Sequence, residues 1–138
     1  MKIERMGPGD FGRVIEAAHV FDNLPQAEAV RRFLAEPNHH LFIAYSDDGP
    51  VGFISGVELT HPDKGTEMFL YELGVDDSHQ RQGFGTALVE ALADLARERG
   101  CYGMWVLTEE DNVAARATYS KARGEAEGTP LIFNWRFV

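Results

Sequence analysis

The sequence predicts an α/β protein of the mixed α+β kind, in which antiparallel and parallel strands share one central sheet. Turn signals separate three apolar segments between residues 40 and 75, which is typical of antiparallel hairpins. A strand, a glycine-rich loop, a helix and a second strand follow one another between residues 67 and 107, which implies a parallel pair. A chain of 138 residues, 44% of them hydrophobic, suits one core, so we expect a single domain over residues 1–138.

The first third of the chain predicts one short strand and two helices. Lys2–Arg5 reads as the strand, and a Gly/Pro turn at residues 7–10 precedes a helix whose apolar positions run from Phe11 to Ala18. A second helix starts at Pro25, because proline suits the first helical turn, and it stops before Pro37.

The middle of the chain predicts three antiparallel strands. They cover His40–Ser46, Val51–Leu59 and Glu67–Val75. Asp47–Pro50 separates the first two, and His61–Gly65 separates the last two. Both linkers are rich in Asp, Gly and Pro, the residues that favour tight turns.

The last part of the chain predicts a helix, a strand, a helix and a strand. Apolar residues recur at helical spacing over Thr86–Arg99, and Gly100 ends that helix before a strand at Tyr102–Leu107. A helix follows at Asn112–Ala122. The alternation of apolar and polar residues over Leu131–Phe137 then predicts a final strand.

The most informative stretch is the glycine-rich run Gln80–Thr86, between the third middle strand and the long helix. Two glycines one residue apart, Gly83 and Gly85, let backbone N–H groups approach an anion, and the helix that follows adds the positive end of its dipole. A dinucleotide fingerprint would need a third glycine where Leu88 stands, and a phosphate-binding Walker loop would need Gly-Lys-Ser/Thr. The alternative is a plain strand-to-helix turn.

The charge of the chain excludes one class of partner. Thirteen basic residues stand against 22 acidic ones, for a net charge of −9, which is the wrong sign for gripping nucleic acid. A cationic partner would be attracted instead. The plainer interpretation is that the acidic surface keeps the protein in solution.

Other composition features point to a soluble cytoplasmic protein without a metal. Cys101 is the only cysteine, which excludes an internal disulfide and a thiolate metal site. The five histidines show no metal-ligand spacing with a carboxylate or a cysteine. The longest apolar runs are far too short to span a membrane, and the first residues do not resemble a signal peptide.

Two motifs together give the chain a family resemblance. The first is Gln80-x-x-Gly83-x-Gly85, and the second is Asn112-x-x-Ala115-x-x-Thr118-Tyr119-x-Lys121. With the order of elements, they resemble the GNAT superfamily of acetyl-CoA-dependent N-acetyltransferases over nearly the whole chain. The resemblance implies the GNAT fold, with a mixed central sheet of about six to seven strands, splayed parallel central strands and about four helices.

The resemblance also implies where acetyl-CoA binds. Backbone N–H groups of the glycine run would hold the pyrophosphate, the end of the preceding strand would pair with the pantetheine arm, and one asparagine would touch that arm. The residues assigned in this way are Leu73, Gly74, Val75, Arg81, Gln82, Gly83, Phe84, Gly85, Thr86 and Asn112.

Direct acetyl transfer from acetyl-CoA to an amine in a ternary complex needs a base, an oxyanion donor and an acid. The resemblance and the chemistry assign Glu72 as the base, the Val75 N–H as the oxyanion donor and Tyr119 as the acid. Glu72 could instead anchor the substrate, and Tyr119 could be a core tyrosine.

For the acceptor, the chain is most similar to the small type I aminoglycoside 3-N-acetyltransferases. The segment Tyr71–Val75 and the acidic turn Glu109-Glu110-Asp111 carry this similarity. A cationic substrate would then contact Glu72, Glu109, Glu110 and Asp111, and antibiotic resistance would follow. Two alternatives stay open: acetylation of another amine (a polyamine, an amino acid or a peptide N-terminus), and a non-catalytic acyl-CoA-binding module. The resemblance is also compatible with a homodimer, because many small members pair through late strands.

Overall fold

The structure is a computed structural model that describes residues 1–137, and Val138, the last residue of the predicted domain, lies outside them. The strands are β1 Lys2–Arg5, β2 His39–Ser46, β3 Gly49–His61, β4 Gly65–Val75 and β5 Met104–Trp105. The α-helices are α1 Phe11–Glu16, α2 Ala27–Ala35, α3 Phe84–Glu98 and α4 Val113–Lys121, with 3₁₀ turns at Ala18–Val20 and Asp77–His79. Within this part of the chain, no helix is both long enough and apolar enough to cross a membrane.

One mixed sheet, in the order β1-β2-β3-β4-β5, forms the centre of the fold. β2, β3 and β4 form antiparallel pairs, as the turn signals predict. β1 also pairs antiparallel with β2, and β5 runs parallel to β4. The observed helices agree with the predicted ones to within a few residues, and the predicted mixed α/β class is confirmed.

The two faces of the sheet are covered by different helices, as strands with alternating apolar residues require. On one face α3 buries a row that includes Leu88 and Leu92 against Ile54 and Met68. On the other face α1 and α2 bury a second cluster against β2 and β3, with Phe53 at its centre. α4 packs beside α3.

The parallel pair β4–β5 is unusually short. Only Met68 pairs with Met104 and only Phe69 with Trp105, while β4 continues to Val75. The predicted strand Tyr102–Leu107 is therefore cut to two residues, because the chain diverges from β4 after Trp105. The divergence opens a gap beside the second half of β4, as expected for splayed parallel strands.

The predicted last strand, Leu131–Phe137, is wrong as a strand in this structure. The residues from 131 to 137 have no regular secondary structure, and their large apolar side chains are exposed, Trp135 by 75% and Phe137 by 90%. A strand needs a partner for its backbone groups, and the two-residue β5 offers too short an edge to pair with. The described sheet consequently has five strands rather than six to seven.

Candidate active site

The glycine loop forms a cradle of backbone N–H groups at the start of α3. Arg81 and Gly83 adopt left-handed conformations, with φ values of 63° and 89°. α3 begins at Phe84, so Gly83 occupies the N-cap position with no side-chain cap. The first N–H groups of an α-helix have no partner inside the helix, and alternating backbone handedness turns neighbouring N–H groups to one side. The loop therefore offers several N–H donors to an anion.

Side-chain hydrogen bonds fix this loop to the end of β4. The Nε2 amide of Gln80 donates to the carbonyl oxygen of Val75 at 3.3 Å and to the carboxylate of Asp77 at 3.2 Å. The Nε2 amide of Gln82 donates to the carbonyl of Ser78 at 3.4 Å. The cradle is thereby held beside the point where β4 ends.

α4 contacts the same corner of the molecule. A Cβ placed on Gly85 would lie 3.2 Å from Cγ2 of Thr118 and 3.9 Å from Cγ2 of Val75. The glycine thus lets α4 pack closely against the first turn of α3 and the end of β4. The two sequence motifs, far apart in the chain, meet at this contact.

Asn112 caps α4, and the acidic turn lies just before it. The side-chain oxygen of Asn112 accepts a hydrogen bond from the Ala115 N–H at 3.1 Å. Glu109, Glu110 and Asp111 are exposed in the preceding turn. None of the three lines the cavity that contains Glu72.

Glu72 faces the α1–α2 side of the sheet because of a β-bulge. Ser55 pairs with Glu72 while the next residue of β3, Gly56, pairs with Leu70, so Tyr71 is an extra residue in β4. Met68 and Leu70 point into the core under α3. Without the extra residue Glu72 would share their face, since side chains alternate along a strand. With it, Tyr71 and Glu72 both border the opposite cavity.

That cavity has a volume of about 310 Å³ and lies between α2, the segment that precedes it, and the sheet. Its walls are mainly aliphatic and aromatic. The lining residues are Val14, Phe21, Asp22, Asn23, Pro25, Gln26, Ala29, Val30, Phe33, Leu34, Leu41, Phe53, Ser55, Tyr71 and Glu72. An apolar cleft with a few polar groups is the usual form of a small-molecule site.

The surroundings of Glu72 raise the pKa of its carboxyl group. The side chain is open to the cavity, yet the neighbouring protein removes enough water from the carboxyl group to raise its pKa, and the negative charge of Asp22 raises that pKa further. A carboxylate with a raised pKa is a better proton acceptor than an ordinary glutamate.

Tyr119 lies on the other face of the sheet. Its ring is half-buried and packs against the core cluster under α3, and burial raises the pKa of its hydroxyl. The hydroxyl therefore stays protonated at neutral pH and can donate. Glu72 and Tyr119 do not share one cavity, since β4 stands between the two faces.

Gly74 serves packing on the cavity side of β4. A Cβ on this residue would lie 2.9 Å from a ring carbon of Phe53 and 3.3 Å from the carbonyl oxygen of Val20. The close approach at this position therefore involves the protein's own Phe53 and Val20. The backbone of Leu73–Val75 still borders the gap left by β5.

The other buried polar cluster lies at the opposite end of α3. His40 is buried and its Nε2 lies 2.6 Å from the carboxylate of Glu58, which also accepts from Arg99. Desolvation lowers the pKa of His40 despite this carboxylate. Among residues 1–137, no three His, Cys, Asp or Glu side chains are grouped as a metal site would require.

Sequence reasoning missed Asp22 and Ser55, two polar residues that line the same cavity as Glu72. Ser55 is the one hydroxyl within the buried part of β3, Val51–Gly56, and that isolation was the available signal. Asp22 lies in an irregular segment, where sequence gives no such cue.

Comparison with known proteins decides the family. The profile of the Acetyltransferase (GNAT) family matches residues 13–124. The chain belongs to this family. The predicted GNAT fold is thereby confirmed.

Individual relatives of the chain differ in the substrates that their names give. An L-2,4-diaminobutyric acid acetyltransferase of Streptomyces coelicolor is 30% identical over 62% of this chain and 51% of its own length. A ribosomal protein bS18 alanine N-acetyltransferase of Escherichia coli is 42% identical over 38% of this chain and 36% of its own. The matched part of the chain thus spans about half or less of these relatives.

A solved structure matches along the full chain. It is an aminoglycoside acetyltransferase from an uncultured soil metagenomic sample, crystallised in complex with trehalose. The TM-score is 0.89 at 24% identity, over 99% of this chain and 96% of that one. The same protein has also been crystallised in complex with sisomicin. At this identity the likeness shows the GNAT fold.

The raised pKa of Glu72 predicts a pH-dependent stability. Because the pKa is higher in the folded protein than in the unfolded chain, this group's stabilising contribution is complete below the unfolded value near 4.5 and is lost as pH rises through the folded value. Glu72→Gln should therefore unfold at a higher urea concentration than the wild type at pH 7. The difference between their urea midpoints should shrink as the pH falls to about 4, where the carboxyl group is protonated in the folded protein and largely protonated in the unfolded chain.

Glu90→Gln, which removes the same charge from the exposed face of α3, is the matched control. If Glu72→Gln gains no more stability at pH 7 than this control, the electrostatic account of Glu72 is wrong.

Proposed function

We propose that the protein is an acetyl-CoA-dependent N-acetyltransferase, an acyltransferase that moves an acetyl group to a primary amine of an aminoglycoside. The observation that carries the proposal is the position of Glu72. This carboxylate has a raised pKa and faces a small-molecule cavity from the strand whose free edge leads to the glycine loop.

Acetyl-CoA is the proposed co-substrate, and its parts fit the glycine loop and the open edge of β4 that leads to it. Its pyrophosphate would accept hydrogen bonds from backbone N–H groups over Arg81–Thr86, and its pantetheine amides would pair with the open edge at Leu73–Val75. Asn112 uses its oxygen to cap α4, which leaves its NH₂ group to donate to the pantetheine arm. When bound, the molecule supplies an activated acetyl group. Metal is not part of the proposal.

The residues on the two faces of β4 have complementary tasks in this reaction. Glu72 accepts a proton from the substrate ammonium, directly or through water, and so frees the nitrogen lone pair to attack the thioester carbon. The Val75 N–H would stabilise the negative charge on the carbonyl oxygen. As the C–S bond breaks, Tyr119 gives its proton to the sulfur, the nitrogen loses its second proton to solvent, and Tyr119 and Glu72 exchange protons with solvent to return to their starting states. The products are the acetylated amine and free coenzyme A.

The choice of an aminoglycoside rests on charge and on the metagenomic relative. The chain carries a net charge of −9, and Glu72 and Asp22 border the cavity. Glu109, Glu110 and Asp111 would provide further contacts for a long polyamine whose far end leaves the cavity. One matching structure is that of an aminoglycoside acetyltransferase, also crystallised with sisomicin. In its most specific form, the proposal is that the acetyl group goes to the 3-N position of the aminoglycoside and that this reaction confers antibiotic resistance.

A second candidate acceptor is a smaller amine, and the curated relatives favour it. One is named for L-2,4-diaminobutyric acid and another for the alanine of a ribosomal protein. Turnover of a panel of amines, followed by mass spectrometry and NMR of each product, distinguishes the candidate acceptors and identifies the acetylated position.

A non-catalytic acyl-CoA-binding module would bind coenzyme A and release no thiol with any amine. Acetyl-CoA is an intracellular metabolite, so the proposal places the protein in the cytoplasm.

The binding of coenzyme A can be tested with two glycines at opposite ends of α3. Gly83 and Gly100 both have positive φ, 89° and 78°, so alanine strains the backbone at either site. Only Gly83→Ala should also disturb the N–H cradle, and we expect it to raise the Kd for coenzyme A about tenfold, from the loss of one or two charge-assisted hydrogen bonds. Calorimetric titration measures this. Equal losses of affinity in Gly83→Ala and Gly100→Ala would contradict the assigned pyrophosphate site.

The catalytic roles can be tested by kinetics with acetyl-CoA and sisomicin. Glu72→Gln should lower kcat about 10²- to 10⁴-fold, because it removes the base, whereas Glu90→Gln should leave kcat unchanged. Tyr119→Phe should lower kcat without raising the KM for acetyl-CoA. Tyr102→Phe, an exposed tyrosine at the other end of the sheet, is its control. Thiol release reports the rates, and full activity of Glu72→Gln would refute the base assignment.

A homodimer is the proposed assembly, and the exposed residues 131–137 support it. Their apolar side chains, Leu131, Ile132, Phe133, Trp135 and Phe137, are 67–90% exposed, which is costly in water unless a second surface covers them. Trp135→Ser should shift the protein from dimer to monomer in light scattering after gel filtration. Leu24→Ser, which changes an equally exposed leucine elsewhere, should leave the dimer intact. A monomeric wild type would contradict this assembly.

A further inference from the structure

The cavity beside Glu72 contains negative charge with no positive charge to balance it. Asp22 and Glu72 both line it, and no Lys, Arg or His of residues 1–137 is among the lining residues. Neither carboxylate forms an ion pair with another side chain in that part of the chain. Two neighbouring carboxylates in a partly dry site repel each other and favour a cation between or beside them.

Asp22 is held in place by its neighbours. Phe21 packs its ring on Phe53, with ring centres 4.5 Å apart, and the carbonyl of Val20 lies against Gly74. His19, in the same 3₁₀ turn, has its Nε2 2.8 Å from the carbonyl oxygen of Pro50. These contacts fix the segment over the sheet, so that the charge of Asp22 reaches Glu72.

Ser55 provides an independent sign of a ligand. The residue is only 5% exposed and lines the cavity, and its buried Oγ atom has no hydrogen-bond partner among the described residues. It stands opposite Glu72 in the β3–β4 register. A buried hydroxyl without a partner costs stability, and native proteins rarely keep one unless something else binds it.

We propose that Asp22 and Ser55 form a second polar contact site for the acceptor, which selects amines carrying another ammonium group near the reacting nitrogen. Glu72 takes the reacting amine, which must be neutral when it attacks. Asp22 then pairs with the second ammonium group, Ser55 hydrogen-bonds a polar hydrogen or oxygen of the same molecule, and the apolar walls hold its carbon skeleton. The acceptor class is therefore a diamine or polyamine rather than a monoamine. This inference rests on the proposed function, in which Glu72 is the residue that binds the reacting amine.

Binding without an acetyl donor tests the site independently of catalysis. The probes are 1,4-diaminobutane and 1-aminobutane, which differ by one amino group, and titration calorimetry gives their Kd values. Asp22→Asn should weaken binding of the diamine about tenfold and that of the monoamine less than about twofold, because one ion pair is lost. Asp63→Asn, in the exposed β3–β4 turn, is the matched control and should change neither.

Ser55→Ala separates a binding role from a structural one. Because its hydroxyl has no partner in the free protein, the variant should unfold at the same temperature as the wild type or higher, while amine binding weakens about fivefold from the lost hydrogen bond. A merely structural serine would show the reverse, with lower stability and unchanged affinity, and that result overturns the role of Ser55.

Kinetics with sisomicin complete the test. Asp22→Asn should raise the KM for sisomicin by a larger factor than it lowers kcat, the pattern of lost substrate binding, while Glu72→Gln mainly lowers kcat. An unchanged diamine-to-monoamine preference in Asp22→Asn overturns the inference and leaves the acetyltransferase proposal standing. If no amine releases thiol but the diamine still binds in an Asp22-dependent way, the proposed function fails and the binding site stands.

Discussion

The early separation of β4 and β5 is the constraint on which the rest of the structure depends. β3 holds β4 through ten residue pairs, against two from β5, so β4 stays in the sheet even where its other edge is open. Unpaired backbone groups on that edge are unsatisfied within the sheet, and a peptide-like molecule can pair with them. The same edge ends at the glycine loop, the proposed site for the pyrophosphate. The early separation of β4 and β5 thus places an open strand edge directly beside the glycine loop.

The bulge at Tyr71 is the second departure from regular pairing, and it decides which face of the sheet Glu72 occupies. A regular β4 would direct Glu72 towards the apolar core under α3, where a carboxylate would be costly. The extra residue turns it to the cavity, where it faces Asp22. Two unbalanced carboxylates and an unpartnered Ser55 hydroxyl all weaken the free protein slightly. Such local costs are typical of functional sites, because a bound substrate removes them.

α4 carries Tyr119, the proposed general acid, on the opposite face of the sheet. Gly85 lets Thr118 approach the first turn of α3, and Tyr119 follows Thr118 on the same helix. Glu72 and Tyr119 are therefore separated by β4, and they can act on one reaction only if the substrates meet in the gap beside that strand. This arrangement fits two substrates that approach from different faces, with the acceptor in the α2-side cavity and the donor along the open edge.

The sequence by itself determined the local features: the hairpins between residues 39 and 75, the helices, the Asn112 cap, the glycine run and the GNAT family. Each depends on neighbouring residues, on periodicity or on backbone conformations that only certain residues adopt. Tertiary structure alone decided the length of β5, the absence of a strand at Leu131–Phe137, and which carboxylates share a cavity with Glu72. A strand requires a partner edge and a bulge reverses side-chain direction, so both depend on pairing between distant segments. For that reason Asp22 and Ser55 became visible beside Glu72 only once the chain was folded.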